Sequence, residues 1–456
     1  MITKNLATRL HSINYDNLPE STKLMAKKCI LDWLGCSIRG WTQPSIHKMA
    51  QALGTGNDEA TLFNGTSPAA KNSALYAGML NAAASHSLDF DDLHNASIVH
   101  AGCITVPAAF ALAEELQLSG QDIITSVVAG YEAGARIGES INPESYYFWH
   151  TTAVTGTFSS GVTAAKLLKL DVDQIVETLG SAGTQSAGLW EFLTDGAMSK
   201  TLHTGKAVFA GILSARLAQS GFTAAKNILE GEKGFCRAFS PDPHRHFLTD
   251  GPLDKYKIDE NSFKPYACCK HTHPANYAAQ LLKAEYNLTL DMVKSAEVKT
   301  NTVVKNLVDN CTPQNPYGSK FSIQYCIAAM LKYGKLGIDE FTMENLADKD
   351  IQKLMPQITV IVDEKLEKEF KEKPERWAVQ LTIEDINGNR LEKFVEYPKG
   401  DPPNPMTWEE LEQKFIDLVE PCYGKEVTKQ LCSMVGNMED VKDFKVSLEE
   451  CFKKSR

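Results

Sequence analysis

Apolar residues recur at helical spacing through the first half of the chain. Between residues 21 and 35 the apolar positions that share a helical face are Leu24, Ile30, Leu31 and Leu34. The same period predicts further helices over residues 72–87, 106–116, 120–137, 152–168, 172–187 and 206–219. Many positions in these segments are Ala, Gly or Ser, which predicts helices in close contact with one another.

Beyond residue 265 the pattern changes to alternating, β-branched runs, which are typical of strands. Strands are predicted over residues 296–304, 358–362, 378–386 and 391–397, with helices over 274–286 and 322–331. Asn387–Gly388–Asn389 indicates a hairpin turn, and Thr407 is the expected N-cap of a returning helix. The predicted fold is mainly α with an α+β lid. Both chain ends, residues 1–265 and 403–456, form a large all-helical domain, and residues 266–402 form a smaller inserted α+β domain.

Composition narrows the classes of function. The chain has 456 residues and a formal net charge of -10, so no nucleic-acid partner is expected, because phosphate backbones demand a basic surface. No apolar run approaches the roughly 20 residues that span a bilayer, so we expect a soluble protein without a membrane partner. Eleven irregularly spaced cysteines and a polar N-terminus without a signal peptide favour reduced thiols and a cytoplasmic location.

The densest group of ionisable residues lies between His86 and His100. It comprises His86, Asp89, Asp91, Asp92, His94 and His100. An aspartate next to a histidine fixes its tautomer and raises its basicity, whereas the alternative is a polar helix end with capping aspartates. Because unpaired charges are costly among apolar helices, the group as a whole favours acid–base chemistry. The spacing matches no zinc template, so we do not expect a metal.

Two further strings lie at helix starts. His150 and Thr152 precede a helix whose N-terminus could hold a carboxylate, although Thr152 could simply be the cap and His150 a surface residue. Lys200, His203 and Lys206 share one helix face. Of the two lysines, Lys200 is the better carboxylate clamp, and Lys206 is expected to be solvated.

A last string, residues 263–274, combines Lys264 with the pair Cys268–Cys269, Lys270 and His273. A metal site is one interpretation, but adjacent cysteines rarely ligate one ion and no second Cys/His group lies at finger spacing. Substrate binding at a domain junction fits as well.

In this order the strings resemble the MmgE/PrpD family, which contains 2-methylcitrate dehydratases, cis-aconitate decarboxylases and iminodisuccinate epimerases. The matching segments are Ser85–Asp92 with His100, Trp149–Thr157, Lys200–Gly205, Lys264–Tyr266, Cys269–Pro274 and Tyr325. The resemblance covers essentially the whole chain and implies homodimers without metal or organic cofactor. It places active-site positions at Asp89, His100, His150, Lys200 and Tyr325, and substrate-binding positions at His203, Lys264, Lys270 and His273.

The branch of the family is left open by the residues. Leu93 stands where the decarboxylases commonly have threonine, and the string typical of the dehydratases is also absent. Our leading hypothesis is a lyase of the 2-methylcitrate dehydratase type, acting on a small di- or tricarboxylate through a carbanion next to a carboxylate. The alternatives are an iminodisuccinate-type epimerase, a cis-aconitate decarboxylase and, from another class, a non-catalytic carboxylate-binding protein.

The hypothesis assigns a role to each residue. His100 and His150 would face the substrate from two sides as general base and acid. Asp89 would orient an imidazole, Lys200 would hold a carboxylate, and Tyr325 from the lid would donate a hydrogen bond or a proton. The remaining members of the dense group, His86, Asp91, Asp92 and His94, are expected to shape and cap the loop.

Overall fold

Both chain ends contribute to one helical unit, and the residues between them form a second unit. The computed structural model describes residues 1–54, 56–66, 69–373 and 376–453. Unit 1 comprises Met1–Ser262 and Thr407–Arg456, and unit 2 comprises Phe263–Met406.

The first part of unit 1 is built from α-helices joined by short loops. These are α1 (Ile2–Ser12), α2 (Glu20–Gly40), α3 (Pro44–Leu53), α4 (Ala74–His86), α5 (Gly102–Leu116), α6 (Gly120–Ile141), α7 (Thr151–Leu167), α8 (Val172–Gly183), α9 (Phe192–Asp195), α10 (Ser199–Gln219) and α11 (Phe235–Phe239). Short antiparallel ladders pair β1 (Ala60–Thr61) with β2 (Lys71–Asn72) and β3 (Leu93–His94) with β4 (Asn261–Ser262). Turns of 3-10 helix occupy Tyr15–Asn17, Glu144–Tyr147, Arg245–Leu248 and Lys257–Glu260.

Small residues allow the central helices of unit 1 to pack closely. Helices α4, α5, α6 and α10 all pack against one another or against α7. A Cβ atom on Gly211 of α10 would lie 2.0 Å from Oγ of Ser160 on α7, so a larger residue there would force the two helices apart. The prediction of closely packed helices is confirmed.

Unit 2 combines one mixed sheet with short helices. Its helices are α12 (His273–Tyr286), α13 (Thr302–Val308), α14 (Pro316–Ser319), α15 (Ile323–Tyr333), α16 (Met343–Leu346), α17 (Lys349–Leu354) and α18 (Glu364–Glu372), with 3-10 turns at Lys270–Thr272, Leu290–Met292, Ile338–Glu340 and Met355–Gln357. Its strands are β5 (Val293–Thr300), β6 (Ile358–Val362), β7 (Val379–Asp385) and β8 (Arg390–Val395), in the spatial order β6-β5-β7-β8. β5 pairs in parallel with β6 and antiparallel with β7, and β7 pairs antiparallel with β8.

The chain returns to unit 1 through α19 (Trp408–Gly436) and α20 (Phe444–Cys451), with a 3-10 turn at Met438–Asp440 between them. Thr407 and Glu410 form a capping box at the start of α19, which confirms the predicted N-cap. Gly424, with φ of 77°, interrupts the helical backbone inside α19. Among the residues described, no helix combines the length and the apolar character that crossing a membrane requires.

The predicted fold class is confirmed, and the deviations from the predicted elements are local. The strand predicted over residues 296–304 ends at Thr300, because the Asn301 side chain accepts the backbone N–H of Val304 (3.0 Å) and starts α13. The predicted hairpin turn is present, with Gly388 at φ of 84°. The helix predicted to reach residue 187 ends at Gly183.

Candidate active site

A tight reversal of the backbone follows α4. The helix ends at His86, and Asp89 then adopts a left-handed φ of 56°, a conformation that aspartate tolerates better than most residues. The reversal brings Asp91 back to the end of the helix, where its Oδ2 lies 2.8 Å from Nδ1 of His86. The turn therefore places a carboxylate against an imidazole five positions earlier in the sequence.

Asp91 is buried and contacts two imidazoles. Its Oδ2 lies 2.8 Å from Nδ1 of His86 and 3.4 Å from Nδ1 of His100. Burial by itself would raise the pKa of Asp91, but the two imidazoles outweigh burial and hold this pKa well below its usual range. The carboxylate 2.8 Å from Nδ1 of His86 favours the tautomer that carries the proton at Nδ1 and leaves Nε2 of this ring as the acceptor. At 3.4 Å from Nδ1 of His100 its charge favours the same tautomer there.

Three imidazole rings form a contiguous group, and this carboxylate contacts two of them. The ring centroid of His86 lies 4.7 Å from that of His100 and 5.3 Å from that of His150, and the planes of His86 and His150 are nearly parallel at 18°. The side chain of His100 is 13% exposed, whereas that of His86 is completely buried and His150 is 3% exposed. His100 is therefore the member of the group that a substrate can reach most easily.

A second histidine pair adjoins the group. His150 is the N-cap residue of α7, and its Nδ1 lies 3.2 Å from Nδ1 of His203 on α10. Burial, together with the charge of Lys200, lowers the pKa of His150 well below its usual range and that of His203 to about 4. Burial also lowers the pKa of His86 to about 4. At neutral pH these rings are uncharged and can accept protons.

Lysines on α10 supply positive charge beside the histidines. Nζ of Lys200 lies 3.2 Å from Oδ1 of Asp89, and the two side chains are only 20% and 15% exposed. His203 and Lys206 follow at successive steps of three residues, on the same broad helix face. Nζ of Lys206 is buried and makes no hydrogen bond within the described residues. The prediction that Lys206 is solvated is therefore wrong for its charged end, and burial lowers its pKa.

Aromatic rings cover one side of the His150–His203 pair. The centroid of Trp190 lies 4.7 Å from His150, and that of Phe192 lies 5.5 Å from His203. The backbone N–H of His150 donates to the carbonyl of Gly188 (2.9 Å), which holds the aromatic segment against the start of α7. Such apolar neighbours lower the local dielectric constant and strengthen the electrostatic interactions of the histidines.

Asp92 holds the turn in place through the hydrogen bonds that its carboxylate accepts. Its Oδ1 accepts the N–H of Gly102 (3.1 Å), and its Oδ2 accepts the Tyr131 hydroxyl (2.8 Å) and the Asn261 amide (2.7 Å). A Cβ atom on Gly102 would lie 2.4 Å from Oδ1, so only glycine permits this approach. Burial and the neighbouring carboxylates of Asp32 and Asp91 raise the pKa of Asp92 to about 8, against the effect of its donors.

Unit 1 brings together the predicted residues Asp89, His100, His150, Lys200 and His203. The geometry reassigns two roles. The carboxylate that orients imidazoles is Asp91, which the sequence assigned to shaping the loop, because the reversal at Asp89 returns Asp91 to His86. Asp89, expected to orient an imidazole, pairs with Lys200 instead.

Tyr325 and His273 lie in unit 2 and have partners within it. Tyr325 is fully buried, and its hydroxyl donates to the backbone carbonyl of Glu340 (2.5 Å). A phenol has a single proton to donate, so this bond competes with the predicted donation to a substrate. His273 is also fully buried, with Nε2 3.2 Å from the carbonyl of Cys268.

The two predicted lysines of unit 2 are also buried. Nζ of Lys270 lies 2.6 Å from Oδ1 of Asp401, and both side chains are at most 4% exposed. Lys264 is 3% exposed, and its charge adds to the effect of burial in lowering the pKa of His271 to about 4. The predicted role of these lysines in substrate binding stays a prediction.

Two groups of described side chains have a spacing that could hold a metal ion, namely His86–Asp91–Cys103 and His94–Glu139–Glu260. In the first group burial raises the pKa of the Cys103 thiol, whereas a metal requires the thiolate. In the second group Nζ of Lys257 lies 2.9 Å from Glu139 and 3.1 Å from Glu260, so an ammonium already balances the carboxylates. Neither donor set therefore favours a metal.

From the sequence, Asp91 and His86 were expected only to shape and cap the loop, and Trp190 was given no role. For Asp91 the only signal was its separation of five residues from His86, which means contact only if the intervening turn reverses the chain. Trp190 stands in a segment with no periodic pattern, so no signal in the sequence indicated its contact with His150.

Comparison with known proteins gives matches along the chain. The MmgE/PrpD N-terminal domain matches residues 4–248, and the MmgE/PrpD C-terminal domain matches residues 266–440. A cis-aconitate decarboxylase from Aspergillus terreus is 26% identical over 98% of this chain and 95% of its own length. The cis-aconitate decarboxylase of Homo sapiens is 26% identical over 98% of this chain and 93% of its own length. A 2-methylcitrate dehydratase from Salmonella typhi is 22% identical over 85% of this chain and 84% of its own length.

Proposed function

The chain belongs to the MmgE/PrpD family, and we propose that it is a lyase that forms a carbanion next to a carboxylate of a small di- or tricarboxylate, without a metal. The observation that carries the proposal is the contiguous group of His86, His100 and His150, in which Asp91 contacts the first two rings and Lys200 lies beside the group. Imidazoles next to a fixed cation suit proton transfer on an anionic substrate.

The chemistry requires both a base and a stabiliser of negative charge. A C–H bond next to a carboxylate is a weak acid, so the proton must be removed while the new charge is held. His100 is the first candidate for the base, because its ring is accessible and Asp91 lies at its Nδ1. His150, whose Nδ1 lies beside Nδ1 of His203, is the candidate for the acid on another side of the substrate, where its uncharged ring would donate the proton of a neutral N–H.

Lys200 is the candidate to hold a substrate carboxylate. Its ammonium is paired with Asp89, so a substrate carboxylate would replace one anion with another at a partly buried site. Charge-assisted hydrogen bonds of this kind are the strong ones in proteins. The apolar rings of Trp190 and Phe192 beside the histidines would shield the reaction from water.

Decarboxylation of a cis-aconitate-like tricarboxylate is the first candidate reaction. The relatives that cover nearly the whole chain are named cis-aconitate decarboxylases, which supports moving this reaction ahead of the dehydration that the sequence favoured. In this reaction the bond to one carboxyl carbon breaks and carbon dioxide leaves. The electron pair enters the alkene system conjugated to a remaining carboxylate, and one imidazole delivers the proton that quenches it.

Dehydration of the 2-methylcitrate type is the second candidate, because the structure offers two separate imidazole systems. One is His100 with Asp91, and the other is His150 with His203. A dehydratase needs a base that removes the proton next to the carboxylate and an acid that protonates the leaving hydroxyl. An epimerase needs the same two groups, with the proton leaving one face of a carbon and returning to the other.

Proton NMR in deuterated water tests these proposals together. The protein is incubated separately with cis-aconitate, 2-methylcitrate, citrate and iminodisuccinate. Loss of carbon dioxide with one deuterium in the product identifies a decarboxylase, and a new alkene with loss of the hydroxyl identifies a dehydratase. Exchange at a stereocentre without net conversion identifies an epimerase. Binding of the substrates without exchange or conversion would overturn the proposal in favour of a carboxylate-binding protein.

Three expectations stay with the proposal. A role of Tyr325, Lys264, Lys270 and His273 in binding the substrate stays a prediction. The partners of Lys270 and Tyr325 within unit 2 favour a structural role for these two residues, and measurement of KM and kcat after substitution of each of the four residues would decide. A homodimer is proposed, and light scattering on the purified protein would test it. A cytoplasmic location is proposed, and fractionation of cells that express the protein would test it.

A further inference from the structure

A lysine from the C-terminal segment lies directly behind the catalytic turn. Lys414 is on α19, and its side chain is only 6% exposed. Its Nζ lies 2.6 Å from Oδ1 of Asp32 on α2, whose side chain is fully buried. The same Nζ donates to the backbone carbonyl of Phe90 (2.7 Å) and lies 3.9 Å from the centroid of the Phe90 ring. One ammonium thus contacts a carboxylate, a carbonyl and an aromatic face.

These contacts fix the residue immediately before Asp91. The carbonyl of Phe90 belongs to the peptide bond that leads into Asp91, and its ring is held by the same cation. On the other side of Asp91, the carboxylate of Asp92 is held by Gly102, Tyr131 and Asn261. Asp91 is therefore clamped from both directions along the backbone, and the Lys414 contacts form one half of this clamp.

Lys414 also supplies positive charge among the buried carboxylates next to the turn. Asp32, Asp91 and Asp92 are all buried, and Asp32 and Asp91 both contribute to raising the pKa of Asp92. Asp32 and Asp91 favour the charged form of Lys414 and raise its pKa in spite of burial. Buried carboxylates at this density need a cation among them, because an unpaired buried charge is costly.

We propose that Lys414 is a positioning residue, which through Phe90 holds the Asp91 carboxylate in place at Nδ1 of His86 and His100. The inference rests on the proposed function, since it concerns the geometry of the same site. It also gives the segment that follows unit 2 a role in the site, because Lys414 on α19 positions Asp91 without being proposed to touch the substrate. Misplacement of a catalytic group by about 1 Å can cost about 100-fold in rate.

The test compares Lys414→Met with the double variant Asp32→Asn/Lys414→Met. The single variant leaves Asp32 unpaired and is expected to lose stability, whereas the double variant removes both charges and is expected to recover the fold. In the folded double variant we expect kcat to fall about 10- to 100-fold with KM changed less than about threefold, because only positioning is lost. Lys257→Met is the matched control, since Lys257 forms its ion pairs with Glu139 and Glu260 in the same unit rather than with the turn from Phe90 to Asp92. It is expected to lose stability and to keep kcat.

Lys414→Arg keeps the positive charge and gives a variant that should fold in any case. Its planar guanidinium cannot reproduce the point contact of the ammonium with Asp32 and Phe90 together, so kcat is expected to recover only in part. An Asp32→Asn/Lys414→Met variant and a Lys414→Arg variant that both retain wild-type kcat would overturn the proposal.

A readout that is independent of activity separates this proposal from the function. Nitrogen-15 shifts of the imidazoles, assigned from His86→Gln and His100→Gln spectra, report which ring nitrogen carries the proton. We expect both rings to be protonated at Nδ1 in the wild type and to become tautomer mixtures in the double variant. Unchanged tautomers would contradict the role of Lys414 even if no substrate were turned over, and shifted tautomers in a protein without lyase activity would contradict the proposed function alone.

Discussion

Lys270 and Tyr325 of unit 2 differ from the histidines of unit 1 in how their charges and protons are satisfied. In unit 2, Lys270 is matched by Asp401 and the Tyr325 hydroxyl by the carbonyl of Glu340. In unit 1, His86 has a buried Nε2 without a hydrogen bond among the described residues, and His86 and His100 share a single carboxylate, Asp91. Buried polar groups that complete each other stabilise a fold, whereas a group held ready but incompletely satisfied is typical of a reactive site.

Each of these residues should control mainly one of two properties, turnover or stability. Substitutions among the unit 1 histidines should reduce turnover more than stability. Substitutions in the buried pairs of unit 2 should reduce stability more than turnover. Each of the following experiments therefore reports both quantities.

The largest expected effect is on turnover. His100→Ala and His150→Ala are each expected to lower kcat about 100- to 10,000-fold, because each removes a proton-transfer group. His246→Ala is the matched control, since His246 is exposed and is expected to leave kcat unchanged. Measurement of kcat on the substrate identified by NMR decides, and near-wild-type turnover in both variants would remove the distinction between the two units.

The next effect concerns the buried pair of unit 2. Lys270→Met is expected to destabilise the protein by about 3–5 kcal/mol, because the buried carboxylate of Asp401 loses the ammonium that balances its charge. Lys270→Met/Asp401→Asn should recover most of this loss. Urea unfolding followed by hydrogen exchange measures it residue by residue, which is necessary because a chain with two units need not unfold in one step. If the double variant regained stability but lost turnover, Lys270 would belong with the catalytic residues and the comparison would fail.

A smaller effect is expected on substrate affinity. Lys200→Met should raise KM about 10- to 100-fold, which corresponds to the loss of one charge-assisted contact with a carboxylate of about 1.5–3 kcal/mol. Asp89→Asn is the matched variant, because it removes the anion that competes with the substrate for Lys200. It should leave KM unchanged or lower it. A KM that rises equally in both variants would indicate that the pair is structural, like Lys270–Asp401.

The sequence could predict the elements better than the site. Helical periods and caps were sufficient for α4 and α7, because these helices bury continuous apolar faces and end at recognisable signals. The ends of α5 and α10 were predicted, but both helices begin before the predicted residues, α10 at Ser199 instead of Lys206. The hairpin at Gly388 was equally local. The end of β5 was missed, because the capping by Asn301 outweighs the β-branched run that continues past it.

Within the site, residue identity could be predicted but pairing could not. Asp89 and Asp91 both lie three and five positions from a histidine in the sequence, and only the left-handed backbone at Asp89 decides which of them meets an imidazole. Lys206 looked like a surface residue, because a pair of lysines on one helix face is usually solvated. The contact of Lys414 with Phe90 joins residues that are 324 positions apart, and no local pattern carries that information.

The smallest effect is on the pH dependence of stability, and it tests the uncharged state of the buried histidines. His86 has a pKa of about 4 in the folded protein, whereas an unfolded histidine has a pKa of about 6.5. Between these values the unfolded chain binds more protons. The unfolding free energy therefore falls as the pH is lowered through this window, by up to about 1.4 kcal/mol per pH unit for this one residue.

Asp92 acts with the opposite sign in the same window. Its folded pKa of about 8 keeps a proton that an unfolded aspartate loses above about pH 4, so its contribution to stability falls as the pH rises. His86→Gln should therefore make the unfolding free energy rise less steeply with pH between about 4.5 and 6.5, and Asp92→Asn should make it rise more steeply. Asp91 does not interfere, because its lowered pKa reduces stability only as the pH falls below the unfolded value of about 3.9. Urea titrations of the two variants across this window measure how the unfolding free energy changes with pH. If both substitutions changed this slope in the same direction, the charge states assigned to His86 and Asp92 would be wrong.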